Sequence, residues 1–449
     1  MKELLGAAAS RLIKYMESLP ERRVFPAASV LDDLSVFSGN LQEEPIDPMS
    51  VLDELDNFGS AATVATNGGR YFGFVIGGVH PAAQAANILA GGWDQNAGLE
   101  ITSPVGAELE KVCKRWLVDL LGLHPEMEIG FVSGATMANF TALAAARHAL
   151  LMERGWDVEA RGLFGAPPIE VIIGEEVHVS VLKALSLLGF GRERVIRVSV
   201  DNQGRIIPES IPEINRPAIV CLQAGNVNTG AFDPIDKVAS KIDGTGTWLH
   251  IDAAFGLWAQ VSPSKRYLIR GLDKADSIAT DAHKWINVPY DSGLVFVRNK
   301  QHLNSAMAAS AAYLEEGMIR DPHLTVPELS RRARAIEIWA VLRSLGKSGL
   351  ADLIDRCCTY ARDFADGILE AGYEVLNDIV LNQVLVSFGS PDVTREVISG
   401  VQKEGTCWCG GTVWQGRTAM RISVSSWATT ESDVRKSLDA IIKIAKEVH

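Results

Sequence analysis

The sequence lacks the features that mark several large classes of protein. No apolar run approaches the roughly 18 to 20 residues that a membrane-spanning helix needs, because Gly, Asn or charged residues interrupt every long stretch. The N-terminus has no apolar block of the signal-peptide kind. The six cysteines form neither a disulfide framework nor a zinc-binding pattern. We therefore expect a cytoplasmic protein with reduced thiols, no metal site and no membrane partner.

Basic surface is also scarce, which bears on possible partners. The chain has 43 Lys and Arg against 55 Asp and Glu, a formal net charge of −12, and no local cluster of basic and aromatic residues. Such a charge opposes binding to polyanions, so nucleic acid is not an expected partner. The glycine-rich turns lack both the Walker A lysine and the spaced glycines of a dinucleotide fingerprint, which disfavours ATP and NAD.

What the sequence does contain is an alternation of amphipathic helices and short, apolar, β-rich runs. This pattern favours a mostly parallel α/β sheet covered on both faces, with ligands at the carboxyl ends of the strands. We predict a helical segment over residues 1–90, a large domain over 91–335 and a small α+β domain over 336–449. The predicted strands of the large domain are 130–132, 171–174, 218–224, 247–253 and 293–299.

The turn Ser133-Gly134-Ala135-Thr136 lies where a strand ends and a helix begins. Small residues there let backbone N–H groups approach an anion, and the start of the helix adds partial positive charge. The turn is therefore a candidate phosphate site, although a turn that only caps the helix explains the same residues.

An aspartate and a lysine follow two later strands. Asp252 ends the apolar run Trp248–Asp252, and a carboxylate in that setting needs a cation or several donors, which a protonated pyridine nitrogen would supply. Lys284 is flanked by apolar and aromatic residues in Asp281-Ala282-His283-Lys284-Trp285, which favours a neutral amine that can attack an aldehyde. Taken singly, Asp252 could cap a helix and Lys284 could reach solvent.

Together these three elements match the polar groups of pyridoxal 5′-phosphate (PLP). The chain resembles the group II amino-acid decarboxylases, which are fold-type I PLP enzymes, from about residue 45 to 430. The likeness is best in His-Ile-Asp-Ala-Ala-Phe-Gly and Asp-Ala-His-Lys-Trp. It implies an α/β fold of the fold-type I PLP-dependent transferase kind, with a large PLP-binding domain and a small C-terminal α+β domain.

The resemblance also assigns roles to individual residues. Lys284 matches the lysine that forms the Schiff base, Asp252 the partner of the pyridine nitrogen, and Ala254 and His178 the residues on the two ring faces, with His178 also implicated in catalysis. The remaining matches are Gly134, Ala135 and Thr136 in the phosphate turn, His283 near the phosphate, and Tyr71, Phe72 and Phe74 in the segment that lines the substrate pocket. Asn226 stands in a loop that is usually Gly-Thr-Thr in the family; the hydroxyls are absent here, but its amide could still hydrogen-bond the cofactor.

A separate candidate for substrate binding comes from strand alternation. In Met420-Arg421-Ile422-Ser423-Val424-Ser425 the alternation places Arg421 on the same face as the two serines. Arg421 there could recognise a substrate carboxylate through a bidentate pair, and a solvated sheet face explains it as well.

One segment departs from the family pattern. Family members carry a tyrosine in a mobile loop shortly before an Arg-Arg pair, and this tyrosine is thought to protonate the carbanion left after CO₂ loss. Here residues 315–327, which precede Arg331, contain no tyrosine, and the nearest is Tyr313. His323 is a candidate replacement, since an imidazolium is a competent acid near neutral pH, and an exposed residue of a lid is the alternative.

The predicted activity is decarboxylation of an L-amino acid, with an aromatic one as the first candidate, by a cytoplasmic homodimer. Relatives that lack the tyrosine can divert the carbanion to oxygen, so an aldehyde synthase is the main alternative, together with another carbon–carbon lyase of the same fold. An aminotransferase is less favoured. A PLP-fold protein that only binds a partner is the remote alternative, against which the joint presence of Lys284, Asp252 and His178 argues.

Overall fold

The computed structural model describes residues 1–308 and 321–448. The chain divides into two compact units. Unit 1 comprises Met1–Gly78, Tyr360–Leu376 and Val384–His449, and unit 2 comprises Val79–Thr359 and Asn377–Gln383. The domain boundaries that we derived from the sequence, near residues 90 and 335, stay a prediction.

The helices and strands are numbered along the chain. The α-helices in the described residues are α1 (Lys2–Ser18), α2 (Ala28–Asp32), α3 (Pro48–Glu54), α4 (Pro81–Trp93), α5 (Pro104–Leu120), α6 (Ala135–Met152), α7 (Val158–Arg161), α8 (Val179–Leu187), α9 (Ile235–Ile242), α10 (Lys300–Met307), α11 (Ala335–Glu370, interrupted at Gly346), α12 (Pro391–Glu404) and α13 (Glu431–Val448). The strands are β1 (Glu128–Val132), β2 (Glu170–Gly174), β3 (Ile196–Val198), β4 (Ala218–Gln223), β5 (Trp248–Asp252), β6 (Ser277–Asp281), β7 (Gly293–Val297), β8 (Glu374–Val375), β9 (Gln383–Ser387), β10 (Gly410–Trp414) and β11 (Arg417–Ser423).

Unit 2 contains a seven-stranded sheet in the order β1-β7-β6-β5-β4-β2-β3. The pairs β2–β3, β2–β4, β4–β5 and β5–β6 are parallel, whereas β7 runs antiparallel to both of its neighbours, β6 and β1. Every residue of β1, β4, β5, β6 and β7 is buried, as expected for a sheet covered on both faces. The predicted mostly parallel α/β fold is confirmed.

Helix α6 provides much of the apolar layer against this sheet. Its side chains Ala138, Ala142, Leu143 and Ala146 belong to a core cluster that also contains Ile173 of β2, among other residues of the sheet. The seven alanines of this helix allow a close approach of the helix to the strands. The packing fixes the start of α6 at the edge where the parallel strands end.

Unit 1 contains the second sheet, of four strands in the order β10-β11-β9-β8. The hairpin β10–β11 is antiparallel. Helices α12 and α13 bury the apolar positions Val397, Val401, Val434 and Ile441. By contrast, none of the residues of α1, α2 and α3 is buried.

Three further findings concern the whole described chain. No helix in residues 1–308 or 321–448 is long and apolar enough to cross a bilayer. Within the same ranges, no group of three or more His, Cys, Asp or Glu side chains has the geometry of a metal site. All six cysteines are buried free thiols.

Candidate active site

The predicted phosphate turn lies between β1 and α6. Gly134 precedes the helix and contributes no side-chain cap, and the N–H of Ala135 donates to Oδ1 of Asp281 at 2.5 Å. Space is tight here, because a Cβ on Gly134 would lie 3.1 Å from Cε1 of His283 and 3.3 Å from Oδ1 of Asp281. The turn therefore packs directly against the segment that carries the candidate lysine.

Lys284 lies in the turn after β6. Its Nζ is 2.9 Å from Oδ2 of the buried Asp281, and Nε2 of His283 is 3.3 Å from Oδ1 of the same carboxylate. Burial, opposed by the charge of Asp281, lowers the pKa of His283, whose Nδ1 accepts the backbone N–H of Ser292 at 3.1 Å. Asp281 thus holds the lysine amine, the histidine and the start of α6 together.

Asp252 ends β5, the strand next to β6, and its carboxylate is buried. Oδ2 accepts from Nδ2 of Asn139 at 3.2 Å and from Oγ of Ser180 at 3.4 Å, while Oδ1 accepts from the N–H of Ala254 at 3.2 Å. Among the residues that the structure describes, no Lys, Arg or His nitrogen lies within 4 Å of this carboxylate. It is a buried anion held by neutral donors.

His178 is the N-cap residue of α8. Its Nδ1 accepts the backbone N–H of Ser180 at 3.2 Å and lies 2.8 Å from the Ser180 hydroxyl. Because Nδ1 is used as an acceptor in this cap, the proton of the neutral ring is assigned to Nε2. Ser180 therefore contacts both His178 and Asp252.

These segments enclose a pocket of about 320 Å³ in unit 2, a volume within the usual range of ligand sites. It brings together seven of the sequence-predicted residues. Asp252 does not line the pocket itself but lies one hydrogen bond behind it, through Ser180. The lining residues are Ser133, Gly134, Ala135, Thr136, Met137, His178, Ser180, Ala254, Asp281, His283 and Lys284.

The residues present fit pyridoxal phosphate. A lysine amine faces the pocket, the start of an 18-residue helix supplies N–H groups and partial positive charge for an anion, and a buried carboxylate without a cation stands behind it. A cationic ring nitrogen would supply the partner that Asp252 lacks among the described residues. The lining residues, with Asp252 behind them, therefore offer partners for the phosphate, the aldehyde and the ring nitrogen of the cofactor.

Asn226, the further cofactor candidate, is buried in the turn after β4. Its Oδ1 accepts the N–H groups of Asn228 at 2.9 Å and Thr229 at 3.2 Å, so the side chain shapes its own loop. Its Nδ2 is buried without a hydrogen-bond partner in the described part of the chain. Asn226 is not among the residues that line the pocket, and its contact with a cofactor stays a prediction.

The predicted substrate segment lies in unit 1. Tyr71 stacks on Trp408 with ring centroids 5.1 Å apart, and Phe74 lies 5.5 Å from the same indole. Phe72 is fully buried and packs edge-on against Phe364 at 5.0 Å, as a core residue does. Tyr71, Phe74 and Trp408 form what we call the aromatic cluster.

Arg421 belongs to the same neighbourhood. Burial raises the pKa of Tyr71 to about 12, with Cys409 acting in the same direction and Arg421 opposing it, and burial lowers the pKa of Arg421. The arginine is half-buried, so the solvated sheet face that we considered does not describe it. Its role in substrate binding stays a prediction.

His323 is buried in a short 3₁₀ helix, and its backbone N–H donates to Gly98 O at 3.0 Å. Its Nδ1 has no hydrogen-bond partner in the ranges that the structure describes, and the residue is not part of the pocket lining. The alternative of an exposed lid residue does not match this burial. Tyr313 and residues 315–320 of the tyrosine-free segment lie outside the described residues.

Three residues of the site had no role in the sequence reasoning. Asp281 lies within a quoted motif, while Asn139 follows the phosphate turn and Ser180 follows His178; each has the sequence character of an ordinary helix or turn residue. Spacing offers one signal: Ser180 stands two residues after His178, and Asp281 three residues before Lys284. Asn139 faces Asp252 only because α6 crosses β5, which spacing does not reveal.

A larger pocket, of about 520 Å³, lies elsewhere in unit 2. Charged side chains of both signs line it, among them Asp201, Arg205, Lys237 and Arg270. Asp201 and Arg205 pair with each other at 2.7 Å. It holds none of the residues predicted for chemistry, so volume alone does not identify the active site.

Comparison with known proteins agrees with this geometry. Residues 63–389 match the model of the pyridoxal-dependent decarboxylase conserved domain. The chain is 26% identical to an aromatic-L-amino-acid decarboxylase of Bacillus atrophaeus, an alignment that covers 100% of this chain and 96% of the relative. It is 29% identical to an acidic amino acid decarboxylase of Mus musculus over 75% of this chain and 63% of that relative.

Among solved structures, the fold is similar to that of Oryza sativa TDC with PLP and tryptamine. The TM-score is 0.91 at 21% sequence identity, covering 99% of this chain and 97% of the other. At 21% identity this similarity shows the fold alone.

Proposed function

The chain belongs to the family of pyridoxal-dependent decarboxylases, its cofactor is pyridoxal 5′-phosphate, and we propose how its own residues serve the release of CO₂ from an L-amino acid. Lys284 would hold the aldehyde of the cofactor, and Gly134, Ala135 and Thr136, with His283 beside them, would hold its phosphate. Asp252 would pair with the ring nitrogen.

The cofactor, when bound, supplies an electron-withdrawing ring that stabilises the carbanion left by CO₂. The residues around it carry out the supporting steps. Ala254 and His178, with Asn226 in the next loop, would confine the ring, and the cap on Nδ1 leaves Nε2–H of His178 as its donor. Asp281, 2.9 Å from Lys284, can accept the proton that the lysine must lose before it acts as a nucleophile.

The observation that carries this proposal is the buried carboxylate of Asp252, which has no cationic partner among the described residues. It lies one hydrogen bond behind a pocket that Lys284 lines. The test is covalent labelling. Purified protein is incubated with pyridoxal phosphate and reduced with borohydride, and the mass of each lysine peptide is measured. We expect the added mass on Lys284 and its loss in Lys284→Ala, but not in Lys265→Ala, which removes a lysine that donates to Val380 O. A label that survives in Lys284→Ala would refute the assignment.

For the substrate we propose an aromatic L-amino acid. The aromatic cluster in unit 1 supports this class, because rings of 150–250 Å² each offer apolar, stackable surface. The relative that aligns over the whole chain is named for the same class. Arg421 would recognise a carboxylate of the substrate and Tyr71 and Phe74 its ring, while Phe72 would support them from the core.

The substrate test compares two panels. CO₂ release is measured with L-tryptophan, L-tyrosine and L-phenylalanine and with L-aspartate, L-glutamate and L-cysteine sulfinate. We expect kcat/KM for the best aromatic substrate to exceed that for every acidic one, since the relative of the acidic class covers less of the chain. A preference for the acidic panel would overturn the aromatic assignment. No spectral change with any amino acid would favour a protein that binds without catalysis.

One observation, the absence of tyrosine from residues 315–327, supports a second reaction, the formation of an aldehyde by an aldehyde synthase. In that reaction the amino acid, O₂ and water give aldehyde, CO₂, ammonia and hydrogen peroxide. We favour the amine, with His323 as proton donor, because its buried Nδ1 has no partner among residues 1–308 and 321–448. Stoichiometric peroxide and ammonia, instead of amine, would identify the synthase.

We also propose a cytoplasmic homodimer. Six buried free thiols suit a reducing compartment. The N-terminal helices expose the apolar side chains Leu5, Ile13 and Val51, which a second copy of the chain would cover. Light scattering of the full chain should give twice the 48.5 kDa of one copy, and Leu5→Glu with Ile13→Glu should shift it toward the monomer.

A further inference from the structure

A chain of buried hydrogen bonds runs from the core of unit 2 to the carboxylate of Asp252. It begins at Trp248, passes through Ser277 and His250, and reaches Asn139, whose amide donates to Oδ2 of Asp252. Asn139, His250 and Ser277 are completely buried. These hydrogen-bonded residues lie on β5, β6 and α6, and none of them lines the pocket.

Only one arrangement of donors and acceptors satisfies every hydrogen bond in this series. The indole Nε1–H of Trp248 can only donate, and it does so to Oγ of Ser277 at 2.8 Å. The Ser277 hydroxyl therefore has its own proton free for Nδ1 of His250, 2.9 Å away. Burial lowers the pKa of His250 to about 3, so the ring is neutral at physiological pH.

A neutral imidazole that accepts at Nδ1 must carry its proton on Nε2. Nε2 lies 2.8 Å from Oδ1 of Asn139 and donates to it, which turns the amide nitrogen of Asn139 toward Asp252 at 3.2 Å and Ser180 at 3.3 Å. The reverse tautomer of His250 would set an unprotonated Nε2 against Oδ1 of Asn139, and turning the amide to avoid this would set Oδ1 against Oδ2 of Asp252.

We propose that Asn139 and His250 are positioning residues for Asp252: the ordered hydrogen bonds behind them keep a donor on Oδ2, which holds the carboxylate aimed at the cofactor's ring nitrogen. The described residues offer Asp252 no cation, so its neutral donors are what stabilise the anion before the cofactor binds. This inference rests on the proposed function of the pocket.

The test compares two substitutions on the same helix. Asn139→Leu removes the amide with little change in size, whereas Thr141→Val removes a buried hydroxyl that bonds only the helix carbonyl of Met137 at 2.8 Å. Three quantities are measured: the dissociation constant for pyridoxal phosphate, the ¹⁵N chemical shift of the ring nitrogen in labelled cofactor, and kcat with KM. The thermal midpoint of the cofactor-free protein reports general destabilisation.

For Asn139→Leu we expect cofactor binding weakened about tenfold or more, since a hydrogen bond to a charged group carries about 1.5–3 kcal/mol. The ring-nitrogen shift should move toward the unprotonated value, and kcat should fall while KM stays near wild type. Thr141→Val should leave the cofactor affinity, the ring-nitrogen shift and kcat as in wild type, although it can lower the thermal midpoint. Equal cofactor affinity and ring shift in Asn139→Leu and wild type would overturn the proposal, as would the same losses in Thr141→Val.

Ser277→Ala keeps the proposal testable if Asn139→Leu does not fold. It deletes only the hydroxyl that sets the tautomer of His250, and we expect cofactor binding about fivefold weaker, the effect of one ordinary hydrogen bond. Unchanged affinity would refute the ordered chain. If the wild-type protein itself fails to bind pyridoxal phosphate, the proposed function fails, whereas wild-type binding with indifferent variants refutes this inference alone.

Discussion

Gly73, which packs against the aromatic cluster, should tolerate little added volume. A Cβ at this position would lie 2.2 Å from Cζ3 and 2.6 Å from Cε3 of Trp408, and 2.8 Å from the hydroxyl of Tyr71. Non-bonded carbons sit about 3.5–4.0 Å apart at their optimum, so Gly73→Ala forces the indole to move by more than an ångström.

The cost of that movement can be worked from the surroundings. Trp408 is half-buried, so its ring can shift instead of being trapped, and overpacking of this kind typically costs about 1–3 kcal/mol. A shift also breaks the stack with Tyr71 and the contact with Phe74, which contribute about 0.5–1.5 kcal/mol per pair. We therefore expect Gly73→Ala to lower the free energy of unfolding of unit 1 by about 2–3 kcal/mol.

The matched control is Gly410→Ala. Gly410 faces the same indole, but its added Cβ would lie 3.5 Å from the ring, an ordinary contact. Urea unfolding followed by tryptophan fluorescence compares the two variants, and KM for the best aromatic substrate tests the role of the cluster. We expect a raised KM only for Gly73→Ala. If both variants match wild type in stability, the close approach of residues 73 and 408 is not as described.

Three more predictions follow from buried charges. Asp252→Asn should reduce CO₂ release by roughly 10²–10⁴-fold, the effect of about 3–5 kcal/mol at a buried charge partner, with the secondary structure by circular dichroism unchanged. Burial lowers the pKa of His250 in the folded state to about 3, so its contribution to the free energy of unfolding is complete above pH 6.5. That contribution is lost by about 1.4 kcal/mol per pH unit as the pH falls toward 3. In urea denaturation, His250→Gln should show a smaller loss of stability over this pH range. Arg331 and Glu110 form a buried ion pair at 2.7 Å, so Arg331→Met should lower the free energy of unfolding by about 3–5 kcal/mol. The double variant with Glu110→Leu should recover most of this loss, because no unpaired charge stays buried. A double variant as unstable as Arg331→Met alone would contradict this reasoning.

Five of the seven strands in the large sheet could be predicted from the sequence, and the two misses have physical reasons. Strand β6 reads Ser-Ile-Ala-Thr-Asp, which offers no apolar run and no strict alternation. It is buried because its hydroxyls are satisfied internally: Oγ1 of Thr280 donates to Ala253 O at 2.9 Å, and Ser277 joins the chain from Trp248. Strand β3 has only three residues, too few to show a period.

The candidate site divides in a similar way. Motifs predicted the residues that face the pocket, because a lysine, a histidine or a small turn residue has a distinctive chemistry where a strand ends. They did not predict Asn139 or His250 as supports of Asp252. Those side chains act through contacts between α6 and β5, and no spacing along the chain encodes which helix residue meets which strand residue.

The topology explains why segments some 150 residues apart form one site. Parallel β5 and β6 are neighbours, so Asp252 and the turn with Lys284 reach the same edge of the sheet. The phosphate turn arrives there only because β7 runs antiparallel between β6 and β1, which places Gly293 opposite both Asp281 and Val132. A Cβ on Gly293 would lie 2.5 Å from Cα of Gly134, so any larger residue would separate the phosphate turn from the lysine segment. The glycine at position 293, which no catalytic motif contains, is thus a geometric condition for the pocket.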